Sequence, residues 1–393
     1  MSVLHGGCAI AAILFIASLF NKNKNKIAYK NIIIMLCIQI GLTFIFLQTN
    51  AGLAILDQVS VFFRWLIAQG MSGVDFVFGG IVIKSGSTVF FLHVLCPLVF
   101  ISALIGILKY FGILQFVVKW GGKIMNKITG MGELESYIPI ATTMLGFPQV
   151  FLTIPEKIKQ SEKEQIFTIC LVVLSATSVS MLAAYMTMIE GKYVVIALLL
   201  NLFSALIINA LMNPYEKKES HMTEETHPEK EPFFQMLGDS ISSGFNLVLI
   251  VTAMVIGFIS LITFLNNTFL ALTGMTFTQI LGYIFSPIAI GIGIPIQDSL
   301  TAGNLMATKI LTNEIVAMGQ VANLTSQLSD KTLAMLSVHL VSYVNFGSLG
   351  IISGTIKSID DTKVADVAKF TMKLMIGGTL AALLNAAIVG LFF

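Results

Sequence analysis

Charge is scarce in this chain of 393 residues: 23 Lys and Arg and 21 Asp and Glu make up 11% of it, against about 25% in soluble globular domains. That excludes an ordinary soluble protein. A net charge of +2, dispersed along the chain, also excludes a nucleic-acid-binding face. Cysteine is nearly absent. Cys8, Cys37, Cys96 and Cys170 lie in apolar runs without CxxC spacing, so they read as buried, reduced packing residues and not as bridges or metal ligands. There is no HExxH motif and no pair of aspartates within the apolar segments, which argues against a membrane-embedded enzyme.

What the chain does have is apolar length. Runs near the roughly 20 residues that cross a bilayer recur at His5 to Phe20, Ile32 to Gln48, Val89 to Tyr110, Ile166 to Met188, Tyr193 to Met212, Phe245 to Leu265, Thr332 to Thr355 and Phe370 to Leu391. Eight membrane-spanning helices are expected from these, in an all-α polytopic membrane protein. The first run precedes its lysines, the reverse of a cleavable signal peptide, so it is expected to remain as a span. Lys22, Lys24, Lys26 and Lys30 follow it, and lysine-rich short loops stay cytoplasmic, which predicts the amino terminus outside. Leu56 to Gly80, Phe111 to Thr129 and Asn266 to Ile280 mix aromatic and polar residues as interfacial helices do.

Two segments are apolar but interrupted. Gly130 to Ile158 is cut by Pro139, Gly146, Pro148 and Pro155; Gly282 to Met318 is cut by Pro287, Gly291, Gly293, Pro295 and Gly303 and then carries Gln297, Asp298, Asn304, Lys309, Asn313 and Glu314. Backbone groups in hydrocarbon must be satisfied, so broken segments survive only inside protein or beside water. Both read as re-entrant hairpins, with Gly146-Phe147-Pro148-Gln149 and Gly293-Ile294-Pro295-Ile296-Gln297 as corresponding tips. Two such segments in corresponding halves point to an inverted-repeat transporter with its site near the midplane. The units expected are scaffold spans and interfacial helices in 1–129, a first transport repeat in 130–212, a linker, scaffold span and interfacial helix in 213–280, and a second transport repeat in 281–393. The linker Asn213 to Pro232 holds His221 and His227, which lack other ligands at metal spacing and read as solvated.

Glu314 is the central candidate. As continuous helix, its segment brings Lys309, Asn313 and Glu314 within about a turn, where carboxylate and amide can clamp a hydroxylated ligand or carry a proton. The alternative is an exposed carboxylate at a hairpin exit. In the next span Ser342, Asn345 and Ser348 recur at intervals of three, a polar stripe suited to sugar hydroxyls or, equally, to hydrogen bonds between helices. His339 and His93 read as packed histidines, and the small residues of Ala176 to Tyr185 as close packing unless Met181 faces a site.

Lys309 followed by Asn313-Glu314-Ile315-Val316-Ala317-Met318 resembles the Lys-x-x-x-Asn-Glu-Phe-Val-Ala signature of concentrative nucleoside transporters. Tyr343-Val344-Asn345-Phe346-Gly347-Ser348 is similar to that family's Phe-Ala-Asn-Phe-Ser-Ser, and Gly130 to Ser136, Ala184 to Met188 and Leu211 to Tyr215 resemble its bacterial nucleoside permease branch. The resemblance runs through essentially the whole chain. It implies a homotrimer in the bacterial plasma membrane with eight spans, three interfacial helices and two re-entrant hairpins, importing nucleosides with a cation by an elevator-like movement. It implies that Glu314, Asn345 and Ser348, with neighbouring Asn313, hold the ribose, that Tyr343 sits beside them, and that Phe147, Gln149 and Met181 face the base.

The chain departs from the family at the first tip, where Gly-Gln-Thr/Ser-Glu is usual and Gly146-Phe147-Pro148-Gln149 stands. An aromatic ring with one amide favours stacking, hence purines. At the positions where sodium-coupled members resemble this chain but carry asparagine and serine, Thr142 and Ala176 occur, so fewer oxygens are offered to a hard cation. A coupling proton carried by Glu314 is therefore expected, with sodium-coupled uptake of a nucleoside or nucleobase as the alternative.

Overall fold

The structure, a computed structural model, describes residues 2–21, 26–81, 89–215 and 231–393. Lys22, Lys24, Lys84, Lys217, Lys218, Lys230, His221 and His227, and with them most of the expected linker, lie outside the described residues. The described secondary structure is helical. Helices α1 (Ser2–Leu19) and α2 (Tyr29–Gln48) follow the first two apolar runs. Helix α3 (Asn50–Phe78) opens where the Thr49 hydroxyl accepts the Gly52 N–H at 3.0 Å, a side-chain cap. It begins before the expected stretch Leu56 to Gly80, and by length and composition it is itself long enough to cross a membrane.

The remainder is one element order used twice. A π-helical turn (Phe91–Leu95) and α4 (Leu98–Tyr110) lead into α5 (Ile113–Thr129), α6 (Glu133–Leu145), the short α7 (Gln149–Leu152) and α8 (Pro155–Gln160), the interrupted helix α9 (Lys163–Ser175) and α10 (Val179–Tyr185), and α11 (Gly191–Met212). The second set is α12 (Phe233–Thr273), α13 (Phe277–Gly291), α14 (Ile296–Leu311), α15 (Glu314–Ala322), the interrupted helix α16 (Asp330–Leu340) and α17 (Phe346–Ile359), and α18 (Asp361–Gly390). Each set turns from its long helix into the next through a left-handed glycine, Gly112 at φ 78° and Gly274 at φ 76°, a conformation that costs other residues about 1–2 kcal/mol.

The two sets are inverted relative to one another. Helices α4 and α12 run antiparallel: the Tyr110 ring meets Phe233 with centroids 5.3 Å apart, and Ser102 Oγ donates to the Ser240 carbonyl at 2.9 Å. A Cβ on Gly106 would fall 2.1 Å from Ser240 Oγ, and one on Gly244 would fall 2.6 Å from Ser102 Cβ. Small residues thus let these apolar helices approach closely, which is how helices associate where lipid is as apolar as the side chains.

The inversion relocates the second hairpin tip. Gly146 ends α6 by donating to Thr142 O, and Thr312 ends α14 by donating to Thr308 O. Ala141-Thr142-Thr143-Met144-Leu145 therefore corresponds to Ala307-Thr308-Lys309-Ile310-Leu311, and the counterpart of the first tip is Thr312-Asn313, not Gly293 to Gln297. The glycines and prolines at 291–295 instead make the 119° bend between α13 and α14. Residues 266–280 do not form a helix of their own: the first eight extend α12, and Phe277 to Ile280 open α13, the element that corresponds to α5.

Within 1–129, α1 and α2 pack on α11 and α18 and α4 packs on α12, while α3 packs on both α2 and α4. Gln39 of α2 donates to the Leu200 carbonyl at 2.8 Å and to Asn385 Oδ1 at 3.3 Å, tying α2 to α11 and α18. Of the cysteines, Cys96 and Cys170 are buried as expected, but Cys8 and Cys37 are exposed, each on the outward side of an apolar helix.

One buried carboxylate stiffens the second set. Asp298 Oδ2 accepts from Ser329 N–H at 3.1 Å, Ser329 Oγ at 2.6 Å and Thr332 Oγ1 at 2.6 Å, joining the start of α14 to the start of α16. Bonds to a charged acceptor contribute about 1.5–3 kcal/mol each and are not additive. Asp298→Ala is expected to destabilise by ~3 kcal/mol, read as a lower midpoint of thermal unfolding in detergent. An unchanged midpoint would mean that water replaces the carboxylate without loss.

Candidate functional site

Neither interrupted span is a continuous helix. Ile166 to Met188 breaks at Ala176–Ser178, and Thr332 to Thr355 breaks at Val341–Asn345. Interrupting a helix frees backbone groups, and in a membrane protein these must find partners. The two gaps cross and supply each other: Tyr343 N–H donates to the Ala176 carbonyl at 3.1 Å, and Ser178 N–H donates to the Tyr343 phenol oxygen at 3.0 Å. Ser178 Oγ and Tyr343 Oη lie 2.7 Å apart.

The expected polar stripe is consequently a turn, not a helix face. Ser342 lies in the gap, Asn345 is the N-cap of α17, and Ser348 is the residue whose N–H reaches Asn345 Oδ1 at 2.8 Å. Asparagine at this position has a positive reason, since its short amide satisfies a free donor of the first turn. The same device recurs at the second tip, where Asn313 Oδ1 accepts Val316 N–H at 2.9 Å. Helix is interrupted at Thr312–Asn313, so Lys309 and Glu314 do not share one helical turn.

Glu314 opens α15 and is 5% exposed, which rules out the hairpin-exit alternative. Its Oε1 accepts from Tyr185 Oη at 3.0 Å and its Oε2 from Asn345 Nδ2 at 3.2 Å. Tyr185 is fully buried at the end of α10 and was not among the residues expected here. A lone tyrosine in an apolar run carries no local signal of a partner 129 residues away. Lys309 is 1% exposed and donates to the His339 carbonyl and to Ser342 Oγ at 2.7 Å. His339 is buried, and His93 turns back onto Val89, just ahead of its own helical turn.

All eight expected site residues, Phe147, Gln149, Met181, Asn313, Glu314, Tyr343, Asn345 and Ser348, line one cavity of about 2390 Å³. Ser178, Ser180 and Thr312 line it as well. The opposite wall comes from α4 and α12 through residues such as Ser102, Ile105, Leu247 and Val251. The Phe147 and Tyr343 rings meet with centroids 5.4 Å apart at 33°, forming an aromatic edge. The carboxylate and amide of Glu314 and Asn345 line the same cavity. Each carboxylate oxygen accepts one protein bond and retains a second lone pair for a ligand hydroxyl. The cavity extends past Lys109, Lys119, Lys123 and Lys157, towards the lysine-bearing face.

Thr142, at the position where a sodium ligand was sought, donates its hydroxyl to Ile138 of its own helix at 2.8 Å, and the Ala176 carbonyl is already engaged by Tyr343. Tyr215 donates to Glu135 at the start of α6. Burial, reinforced by that carboxylate, pushes the Tyr215 phenol well up, so it remains a donor.

Three family models match the chain in succession: Na+ dependent nucleoside transporter N-terminus over 8–81, Nucleoside recognition over 91–192, and Na+ dependent nucleoside transporter C-terminus over 193–390. The chain is similar to the purine nucleoside transport protein NupG of Bacillus subtilis, with 34% identity over 99% of this chain and 98% of that protein. It is 26% identical to the nucleoside permease NupC of Helicobacter pylori, over 100% of this chain and 98% of that one. Among solved structures it is similar to CNTnw in an inward-facing substrate-bound state, with a TM-score of 0.94 and 28% identity over 100% of this chain and 98% of that chain. A variant of CNTnw in an outward-facing state gives a TM-score of 0.93 at 27% identity, over 100% and 99% of the two chains.

Proposed function

The chain belongs to the concentrative nucleoside transporter family, and we propose that it imports nucleosides, purines in preference to pyrimidines, together with a proton. It is a membrane transporter and not an enzyme. The observation that carries the substrate reading is the presence in one cavity of a buried carboxylate and amide, Glu314 and Asn345, and an aromatic edge, Phe147 and Tyr343. Ribose hydroxyls donate to the free lone pairs of Glu314, and the base lies against the rings, with Gln149 and Met181 beside it. Asn313 and Asn345 cap the helices that carry Glu314 and Ser348, and Ser348 lies with them at the ribose.

The purine preference draws on the tip, where a ring replaces directed donors, and on the named substrate of the NupG relative. Glu314 is the proton carrier in this reading: a buried carboxylate that hydrogen-bonds the ligand couples its own protonation to occupancy. Transport proceeds by displacement of the two hairpins and interrupted helices along the α4–α12 pair, which forms the far wall of the cavity. The assembly is a homotrimer in the bacterial plasma membrane with eight spans, two re-entrant hairpins and its amino terminus outside, as the family resemblance and lysine placement imply. With the cavity reaching the lysine-bearing face, this conformation is the inward-open one.

Sodium coupling is favoured by one finding, the description of the matched family models as Na+ dependent. Uptake of labelled inosine and uridine into proteoliposomes under imposed proton or sodium gradients separates the two. The expected result is faster inosine uptake driven by the proton gradient without sodium. Uptake that follows sodium and ignores the proton gradient would overturn the proton assignment, and chemically altered solute inside the vesicles would overturn transport.

A further inference from the structure

Lys309 is a buried cation that the proposed transport reaction leaves unused. It does not line the cavity, and neither do the groups its ammonium contacts, the His339 carbonyl and Ser342 Oγ. Neither of those partners is a carboxylate: Lys309 and the ligand-facing Glu314 attract one another without direct contact, and the ammonium's bonds go to the backbone and hydroxyl. Both belong to the end of α16 and the gap that follows. The last carbonyls of a helix lack intrahelical partners and carry the negative end of its dipole, so a cation there is satisfied by, and satisfies, the open end.

The inverted repeat sharpens this. Thr143 of α6 stands where Lys309 stands in α14, so the first set supplies no charge to its own interrupted helix. That first gap is held from the second one, by Tyr343 on Ala176 and Ser178. Tyr343 is the residue directly after Ser342. On its other side the same five-residue gap ends in Asn345, which binds Glu314. One ammonium therefore lies at the root of both connections, to the aromatic edge and to the carboxylate.

We propose that Lys309 is the positioning residue of the nucleoside site, its ammonium fixing the α16–α17 gap so that Tyr343 and Asn345 face the cavity in register with Glu314. The proposal rests on the ribose assignment made above. Lys309 acts through Ser342 and the His339 carbonyl and touches no substrate.

The test is equilibrium binding to the purified full-length chain. The probes are inosine and uridine, each beside its dideoxy counterpart lacking both ribose hydroxyls. The native chain is expected to prefer its better nucleoside over that dideoxy form by about a hundredfold, at roughly tenfold per hydroxyl bonded to a charged acceptor. Lys309→Met is expected to bring the ratio below about tenfold, because Asn345 and Glu314 no longer present a matched pair. A role in stability alone would lower the unfolding temperature and leave the ratio intact. Asn345→Ala separates the two readings. Loss of the ratio in Asn345→Ala with its retention in Lys309→Met overturns the role of Lys309 and leaves the ribose site standing. Retention in both overturns the ribose site and this role together, as does failure of the native chain to bind either nucleoside. Ser342→Ala removes one acceptor of the ammonium at little cost to packing and is expected to lower the ratio partway. Should Lys309→Met not fold, an unchanged ratio in Ser342→Ala overturns the proposal.

Discussion

Glu314→Gln is expected to abolish concentrative uptake, with a fall in kcat/KM of about two to three orders of magnitude. The reason is donor and acceptor count. The carboxylate accepts Tyr185 Oη on one oxygen and Asn345 Nδ2 on the other, and still offers lone pairs to a ligand. An amide has one acceptor oxygen: kept on Asn345 Nδ2, it turns the nitrogen to Tyr185, whose phenol must change from donor to acceptor, and the lone pair that the second carboxylate oxygen offered a ligand is gone. A ligand hydroxyl that donated to that oxygen is then left without its acceptor in a buried site, which costs about 1–3 kcal/mol, and the remaining charge-assisted bond to ribose becomes a neutral one. Together these amount to roughly 3–4 kcal/mol, at 1.4 kcal/mol per tenfold. The check is initial-rate uptake in proteoliposomes beside thermal unfolding in detergent. Near-native uptake by Glu314→Gln would remove Glu314 from both the ribose and the coupling assignments. Exchange of labelled for unlabelled nucleoside that persists while gradient-driven accumulation disappears would confine it to coupling.

Much of this architecture is legible in the chain because spans are long apolar stretches, a pattern that dominates every local propensity. The interruptions are legible only in part. Gly146, in the left-handed region, and Pro148 advertise the first hairpin, whereas Pro139, expected to cut the segment, lies inside α6 without ending it. The second tip, Thr312-Asn313, has neither, and glycines and prolines twenty residues upstream draw the eye to a bend of another kind. The matching run Ala141 to Leu145 against Ala307 to Leu311 was the signal that identifies it. The gaps at Ala176–Ser178 and Val341–Asn345 have no comparable mark. Serine, alanine and valine are all at home in a continuous membrane helix, and these stretches leave helix because partners from the other repeat take up their backbone groups. Such a contact depends on residues far away in sequence, as does the bond from Tyr185 to Glu314. The site residues were accessible through the family motif, whose Asn-Glu and Asn-Phe pairs sit at the second tip and the second gap, where each asparagine caps the helix that follows.

The same division of the cavity predicts a change of selectivity without loss of transport. Phe147 is partly exposed at the first tip and faces Tyr343, whereas Glu314 and Asn345 take the ribose whatever base it bears. Stacking of a base on an aromatic side chain is worth about 1–3 kcal/mol by alanine substitution, more for the larger ring system. Phe147→Ala is therefore expected to weaken inosine about ten- to thirtyfold and uridine by several-fold at most, so the ratio of their uptake efficiencies approaches unity. Phe147→Tyr should retain the ratio, because it keeps the ring. Gln149 does not substitute for stacking in this respect: its amide both donates and accepts and so tolerates either edge chemistry. A uniform loss for both nucleosides in Phe147→Ala would mean that the ring holds the tip closed instead of reading the base, and the origin of selectivity would then have to lie with Gln149, Ser178, Ser180 or Met181, which also line the cavity from the first repeat.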